Sequence, residues 1–265
     1  MELIIILLSI ALGLIVGSFL NVVIIRGVKK EKLNGRSHCP FCKTKLSSKE
    51  LIPIISFLAQ KGQCLHCGKK ISWQYPLVEG LAGITFPTTI WFFIKNNLWL
   101  NFYDLIFLVF LLVGIATAII IAITDWRFKI IPNGSFLILL LLGLFIVFTR
   151  WYYYGFAIAG KDLMASIVLA LFFASIWFFS KGQAMGLGDA KLILATSLIL
   201  GFPASLSAFL FSFWLGGIIS LVLLISRAYS LKSELPFGPF ILLGSGLAYF
   251  FSQSFLNLAG LTQIF

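Results

Sequence analysis

Acidic side chains are scarce in this chain. Only 9 Asp and Glu stand against 20 Lys and Arg, and 11% of the 265 residues carry a charge. With 60% hydrophobic residues and a mean hydropathy of +1.04, so little charge excludes an ordinary soluble domain. No basic stretch precedes the first apolar run, which is also too long for a secretory signal, so it reads as a retained span rather than a cleaved leader. No Gly-x-Gly-x-x-Gly opens a soluble βαβ unit: lysine stands at the third glycine position of the 186–191 segment, so a Rossmann-type cofactor site is excluded. The net charge of +11 comes without a DNA- or RNA-binding motif. Nucleic acid is therefore not an expected partner, and the basic surplus points to anionic lipid headgroups.

What remains is a string of apolar runs, each about 20 residues long, the length of a membrane-crossing helix. They predict an all-α polytopic membrane protein with about eight transmembrane helices, at 3–25, 77–94, 105–124, 134–150, 162–180, 189–202, 204–226 and 238–258. Threading the chain through these spans puts all Lys and Arg on one side except Lys95, Arg150 and Lys161. By the positive-inside rule the basic side is cytoplasmic and both termini lie outside. Three segments follow: a first transmembrane helix at 1–25, a cytoplasmic loop domain at 26–76, and a membrane core at 77–265. Trp151 to Tyr154 suit the outer interfacial belt, and the small residues Gly13, Gly17, Gly216, Gly217, Gly244 and Gly246 suit close helix packing.

The four cysteines of the chain all fall in the loop, as Cys39-Pro40-Phe41-Cys42 and Cys64-Leu65-His66-Cys67. Two CxxC knuckles about 20 residues apart have the spacing of a tetrahedral zinc site, with Gly68 supplying the turn after the second. Disulfides are disfavoured in a reducing cytoplasm, and a redox dithiol would need a βαβ context that is absent. A structural zinc on Cys39, Cys42, Cys64 and Cys67 would staple a loop with few large apolar side chains outside 51–58. His38 and His66 read as neighbours of the site rather than ligands.

Two aspartates stand out against the scarcity of acid. Asp125 ends one apolar run and Asp189, in Gly186-Leu187-Gly188-Asp189-Ala190-Lys191, opens another, both at the cytoplasmic face. A carboxylate at membrane depth costs about 3 kcal/mol, so such a residue marks function by default. Asp189 has an alternative as a helix N-cap, whereas Asp125 sits at a helix C-terminus, where the macrodipole opposes it. Two facing carboxylates that share one proton can hydrolyse a peptide, one taking a proton from water and the other giving one to the carbonyl. Gly186 and Gly188 would let backbone approach a substrate, and Lys191 would steady the pair or snorkel to the interface.

The order of motifs resembles the type IV prepilin peptidases. It runs from Gly17-Ser18-Phe19-Leu20-Asn21 through the four-cysteine loop to Ile71-Ser72-Trp73-Gln74-Tyr75-Pro76-Leu77-Val78-Glu79. Asp125 follows with Ile131-Pro132-Asn133, and then the Gly-Leu-Gly-Asp-Ala-Lys segment. The resemblance covers nearly the whole chain. It implies a Gly-x-Gly-Asp membrane aspartyl protease of the bacterial inner membrane with Asp125 and Asp189 as its catalytic pair and Cys39, Cys42, Cys64 and Cys67 as zinc ligands. The implied substrates are prepilins or pseudopilins, whose basic leader is cut at the cytoplasmic face after a glycine and usually before a phenylalanine. Many members also methylate the new N-terminus with S-adenosylmethionine, an activity associated with the cysteine-loop half, and Glu79 is the acid to watch for it. The chain departs from the usual pattern at Lys49-Glu50-Leu51-Ile52-Pro53 and at Asn133. Other readings stay open here: a protease without methylation, a cation-coupled transporter with a regulatory zinc loop, and a non-catalytic assembly scaffold. Against the transporter, no inverted repeat is visible and both aspartates lie at one face rather than the midplane.

Overall fold

The structure, a computed structural model, describes residues 2–96, 102–183, 185–227, 230 and 235–258. Lys232, one of the basic residues assigned to the cytoplasmic side, lies outside them. The described residues are helical, with no strand among them: α1 (Glu2–Val28), α2 (Ile55–Ala59), α3 (Gln74–Lys95), α4 (Phe102–Phe128), α5 (Asn133–Tyr154), α6 (Phe156–Phe179), α7 (Leu187–Leu200), α8 (Ala204–Ile225) and α9 (Gly238–Leu258). Of the eight expected spans, six are long and apolar enough to cross a membrane unaided: α1, α3, α4, α5, α6 and α8. The chain divides into two compact units, Met1–Ile120 and Ile121–Phe265.

In the first unit α1 packs along α3. The backbones approach so closely that a Cβ on Gly17 would stand 2.7 Å from the Cα of Glu79, and one on Gly13 would strike the Ala82 carbonyl. At the loop end, buried Asn21 accepts from Gln74 Nε2 (3.2 Å) and donates to the Tyr75 carbonyl (3.1 Å), so the two helices are tied where the cysteine loop leaves and returns. Arg26 begins that loop by donating to the carbonyls of Leu33 (2.9 Å) and Asn34 (2.8 Å).

In the second unit α7 is the central element, in contact with α5, α6, α8 and α9. It has only 14 residues, about 21 Å of helix, against a hydrocarbon core of about 30 Å. A helix this short sits inside the bundle with most of its residues buried, rather than crossing on its own. Its far end is closed by an ion pair that hydropathy cannot show. Arg150 of α5 donates through Nη2 to the Ile199 and Leu200 carbonyls (3.0 Å each), two of the acceptors a helix leaves open at its C-terminus. Its Nη1 meets Asp162 Oδ2 at 3.1 Å, and Asp162 Oδ1 accepts the Phe202 N–H at 2.7 Å. The same pairing explains a misplaced boundary. Lys161 and Asp162 interrupt the apolar pattern, so the span was expected to start at 162, whereas α6 starts at Phe156 because Arg150 neutralises the acid.

The small residues divide. A Cβ on Gly244 of α9 would lie 2.7 Å from the Ala208 carbonyl of α8, and one on Gly216 would touch the Phe237 ring at 3.0 Å, so both mark close packing. Gly217 and Gly246 face open space and do not.

Arg150→Met should destabilise the protein by roughly 3–5 kcal/mol, because it strands a buried carboxylate and reopens the end of α7. Thermal unfolding in detergent checks this. Adding Asp162→Asn to that variant should recover part of the loss, since no charge is then left unpaired.

Candidate active site and metal centre

Asp125 lies in the last turn of α4 and Asp189 in the first turn of α7, and both are buried. The charge of Asp125 acts directly on Asp189, so the two carboxyls are brought within electrostatic reach of one another inside the second unit. The helix C-terminus that disfavours Asp125 is offset by a partner the sequence reading did not identify. The backbone N–H of Gly238, at the start of α9, donates to Asp125 Oδ2 at 2.9 Å. The carboxylate thus meets the positive end of another helix. Glycine leaves the carboxylate its place: a Cβ on residue 238 would stand 2.6 Å from Asp125 Oδ2 and push it aside.

Gly238 is held in turn by its neighbour. The Phe237 ring stacks on fully buried Phe173 of α6 (centroids 6.0 Å) and meets Phe213 of α8 edge-on (5.7 Å), with Gly216 leaving room for it. In the sequence, the glycine between Phe237 and Pro239 at the head of an apolar run was the available signal.

The residues around Asp189 fall out differently from one another. The Gly186 N–H points at the Asp189 carboxylate, and Gly186 itself is exposed beside it. Gly188 makes room for Ile131, whose side chain would lie 3.2 Å from a Cβ there, so its bareness serves packing within the chain. Lys191 extends over the Phe136 ring, 6.0 Å from its centroid, away from an ion pair with either aspartate.

The four cysteines come together in the first unit. Each knuckle is the same turn: Cys39 N–H donates to the Thr44 carbonyl and Lys43 N–H to Cys39 (3.0 Å each), as Cys64 N–H does to Lys69 and Gly68 N–H to Cys64 (2.9 Å each). The left-handed turn position is filled by Gly68 (φ +68°) in the second knuckle and by Lys43 (φ +61°) in the first. None of the four cysteines is in a disulfide, and all four sulfurs lie within 4.8 Å of one another, Cys39 and Cys67 at 3.9 Å. A zinc ion with Zn–S bonds of about 2.3 Å sets sulfurs about 3.8 Å apart, so the cluster has the size of a metal site.

Its chemistry agrees. The Thr44 hydroxyl and N–H draw the Cys42 thiol down to about 6, and the His66 and Cys67 N–H groups lower Cys64. Although the Lys69 N–H favours its thiolate, burial and the three other sulfurs push Cys67 up to about 11. Four sulfurs this close can all be thiolates only around a cation. Neither histidine joins them: His38 is exposed, and His66 Nε2 lies 3.2 Å from Glu50 Oε1. Hydrogen bonds from the Ser47 N–H and hydroxyl hold the Glu50 carboxyl below its usual range.

Glu79, buried on α3, accepts the Ile54 N–H through Oε2 at 2.7 Å. Ile54 has φ +59°, a costly conformation for a β-branched residue, so this contact is held by the structure around it. The acid watched for a chemical role thereby also anchors the cysteine loop to α3.

Residues 11–93 match the bacterial peptidase A24 N-terminal domain, which takes in all four cysteines, and residues 112–221 match the type IV leader peptidase family, which takes in both aspartates. Over 253 residues the chain is 33% identical to the prepilin leader peptidase/N-methyltransferase of Bacillus subtilis (strain 168), covering 92% of this chain and 94% of that protein. Proteins of the same name from Xanthomonas campestris pv. campestris (28% over 282 residues, 94% of each chain) and Legionella pneumophila (29% over 270 residues, 92% and 91%) are similar along nearly their whole length. No solved structure matches. With its two halves matching the two domains in order and one relative aligned end to end at 33% identity, this chain belongs to the type IV leader peptidase family.

Proposed function

We propose that this chain is a membrane aspartic endopeptidase that removes the leader peptide of a prepilin or pseudopilin, and that it methylates the N-terminus so exposed. The observation that carries the reading is the buried pair Asp125 and Asp189, the first held by the Gly238 N–H and its charge felt at the second. Hydrolysis follows from a pair that holds one proton between two carboxyls. The ionised carboxyl takes a proton from water as its oxygen attacks the scissile carbonyl, and the protonated one gives its proton to the carbonyl oxygen. The tetrahedral intermediate collapses and the C–N bond breaks: the protonated carboxyl gives its proton to the leaving amine, the other carboxylate takes one from a hydroxyl of the intermediate as the carbonyl re-forms, and the pair again holds one proton. Gly238 fixes the direction of the Asp125 carboxylate throughout. Exposed Gly186 leaves backbone open to a substrate strand beside Asp189.

Cys39, Cys42, Cys64 and Cys67 hold a zinc ion whose part is structural. S-adenosylmethionine would supply the methyl group for the new N-terminal amine. We assign methyl transfer to the N-terminal part of the chain, with the loop at 26–76 and Glu79 forming its wall, and cleavage to the membrane part at 77–265. The concentration of Lys and Arg supports placing the loop and the aspartates at the cytoplasmic face of the bacterial inner membrane.

Asp125→Asn and Asp189→Asn should each abolish cleavage of a prepilin by purified protein while membrane insertion is unchanged, because an amide cannot share or shuttle the proton. Appreciable cleavage by either variant removes the assignment. The Asp189→Asn variant should still methylate a pre-cut pilin, and a wild-type protein that cuts but never methylates is a protease alone.

Gly238→Ala should lower cleavage by about 100-fold with little change in metal content, since its Cβ displaces Asp125 and a misplacement near 1 Å has that effect. A kcat close to wild type would show that the carboxylate does not depend on this contact.

Metal analysis of purified protein should find about one zinc per chain, in line with four-thiolate coordination. Cys39→Ser should release it and reduce methyl transfer more than cleavage. Four freely alkylated thiols in metal-free native protein would exclude the site.

A further inference from the structure

The cysteine loop carries an apolar surface that its own fold does not cover. Ile52, Ile55, Leu58 and Trp73 are exposed (43%, 63%, 65% and 73%), and Leu77, one turn beyond Trp73 on α3, is 50% exposed. Ile55 and Leu58 are three residues apart on α2 and share a side, while Phe57 between them turns inward against Trp73, with ring centroids at 4.9 Å. Lysines border this surface in sequence: Lys49 before it, Lys61 just after α2, and Lys70 shortly before Trp73, all exposed.

The depth of this surface follows from the length of α3. Its 22 residues make about 33 Å of helix, or about 31 Å along the membrane normal at an ordinary tilt of 20°. The hydrocarbon core is about 30 Å thick, so α3 has no turn to spare. Its far end is marked by Lys95, whose Nζ lies 3.8 Å from Glu2 at the start of α1. Glu79 is therefore about 7 Å inside the near boundary, counted from Gln74 at 1.5 Å per residue. Were the helix up to Glu79 to stand in water, residues 80–95 would leave only about 24 Å to cross the core. Ile54 donates to Glu79, and its side chain reaches Gly80, so α2, which begins at the next residue, lies beside this stretch of α3.

We infer that α2 and its flanks, with Ile52, Ile55, Leu58, Trp73 and Leu77, form an apolar wedge sunk in the headgroup and upper acyl region of the bilayer, with lysines at its rim that bind anionic lipid. The occupant of this surface is the membrane itself. Apolar side chains backed by lysines are the composition of an interfacial segment, and each buried CH₂ adds to the attraction while the ammonium groups meet lipid phosphates. The wedge also gives a reason for the costly positive φ of Ile54, which centres a tight turn closed by the Ile55 N–H on the Pro53 carbonyl. That geometry turns its N–H into Glu79, so the acid is covered by backbone where it passes below the membrane surface. The inference rests on the fold of the first unit and not on the catalytic reading.

The test uses zinc-loaded protein in vesicles of phosphatidylcholine and phosphatidylglycerol. Bimane is attached at Leu58→Cys or Ile55→Cys, with exposed Lys45→Cys as the control on the same domain and unsubstituted protein giving the background from the four native thiols. Zinc content confirms that each labelled variant is folded. Labels at 55 and 58 should be quenched several-fold more strongly than the label at 45 by lipids carrying a nitroxide near the headgroup, and should be shielded from aqueous iodide. Iodide access equal to that at position 45 would overturn the inference by placing the loop in water. Shielding from both quenchers would overturn it by showing that protein covers the surface. Lipid quenching unchanged in vesicles of phosphatidylcholine alone would remove the anionic-lipid part.

Discussion

A carboxylate inside a helix bundle of low dielectric has to be met by donors, and this requirement sets how the helices of the second unit lock together. Asp162 is met by Arg150 and by the Phe202 N–H, and the same guanidinium closes the end of α7. Asp125 is met by the first N–H of α9. Asp189 lies in the opposite end turn of α7, about 16 Å along the helix from the carbonyls that Arg150 clamps, so its depth follows from where that clamp holds the helix. Each buried acid fixes one helix end.

The Asp125 contact shows how a local penalty becomes a tertiary device. At the C-terminus of α4 the helix dipole works against negative charge. Bringing the N-terminus of α9 to the same carboxylate offsets this, and requires a glycine at 238 and a firmly seated Phe237. The aromatic packing of Phe173, Phe213 and Phe237 is therefore more than filler in a phenylalanine-rich bundle. It sets the height of one backbone N–H, and through it the direction of an acidic side chain.

The first unit answers the same constraint differently. Its four thiols are crowded beyond what an uncharged site needs, and hydrogen bonds turned toward Cys42 and Cys64 favour thiolates. Such a cluster is suited to a cation, which would staple a loop with little buried apolar surface of its own. Glu79 and Ile54 then attach the loop to α3 by one strained, satisfied contact.

The sequence by itself determined the class of the protein, its membrane nature, the two aspartates and the four cysteines. Each of these rests on a local signal: a run of apolar residues, an acid where acids are costly, a CxxC spacing. Hydropathy also located the apolar helices, six of them long enough to cross a membrane, although it began α6 six residues late because Lys161 and Asp162 look like a break until Arg150 is known to pair with the acid. Only the tertiary structure decided which groups meet the buried charges. Gly238 lies 113 residues from Asp125, and Arg150 lies 49 and 50 residues from the carbonyls it caps. A backbone N–H has no identity in a sequence, so a site completed by main-chain donors from distant helices becomes visible only when the chain is folded.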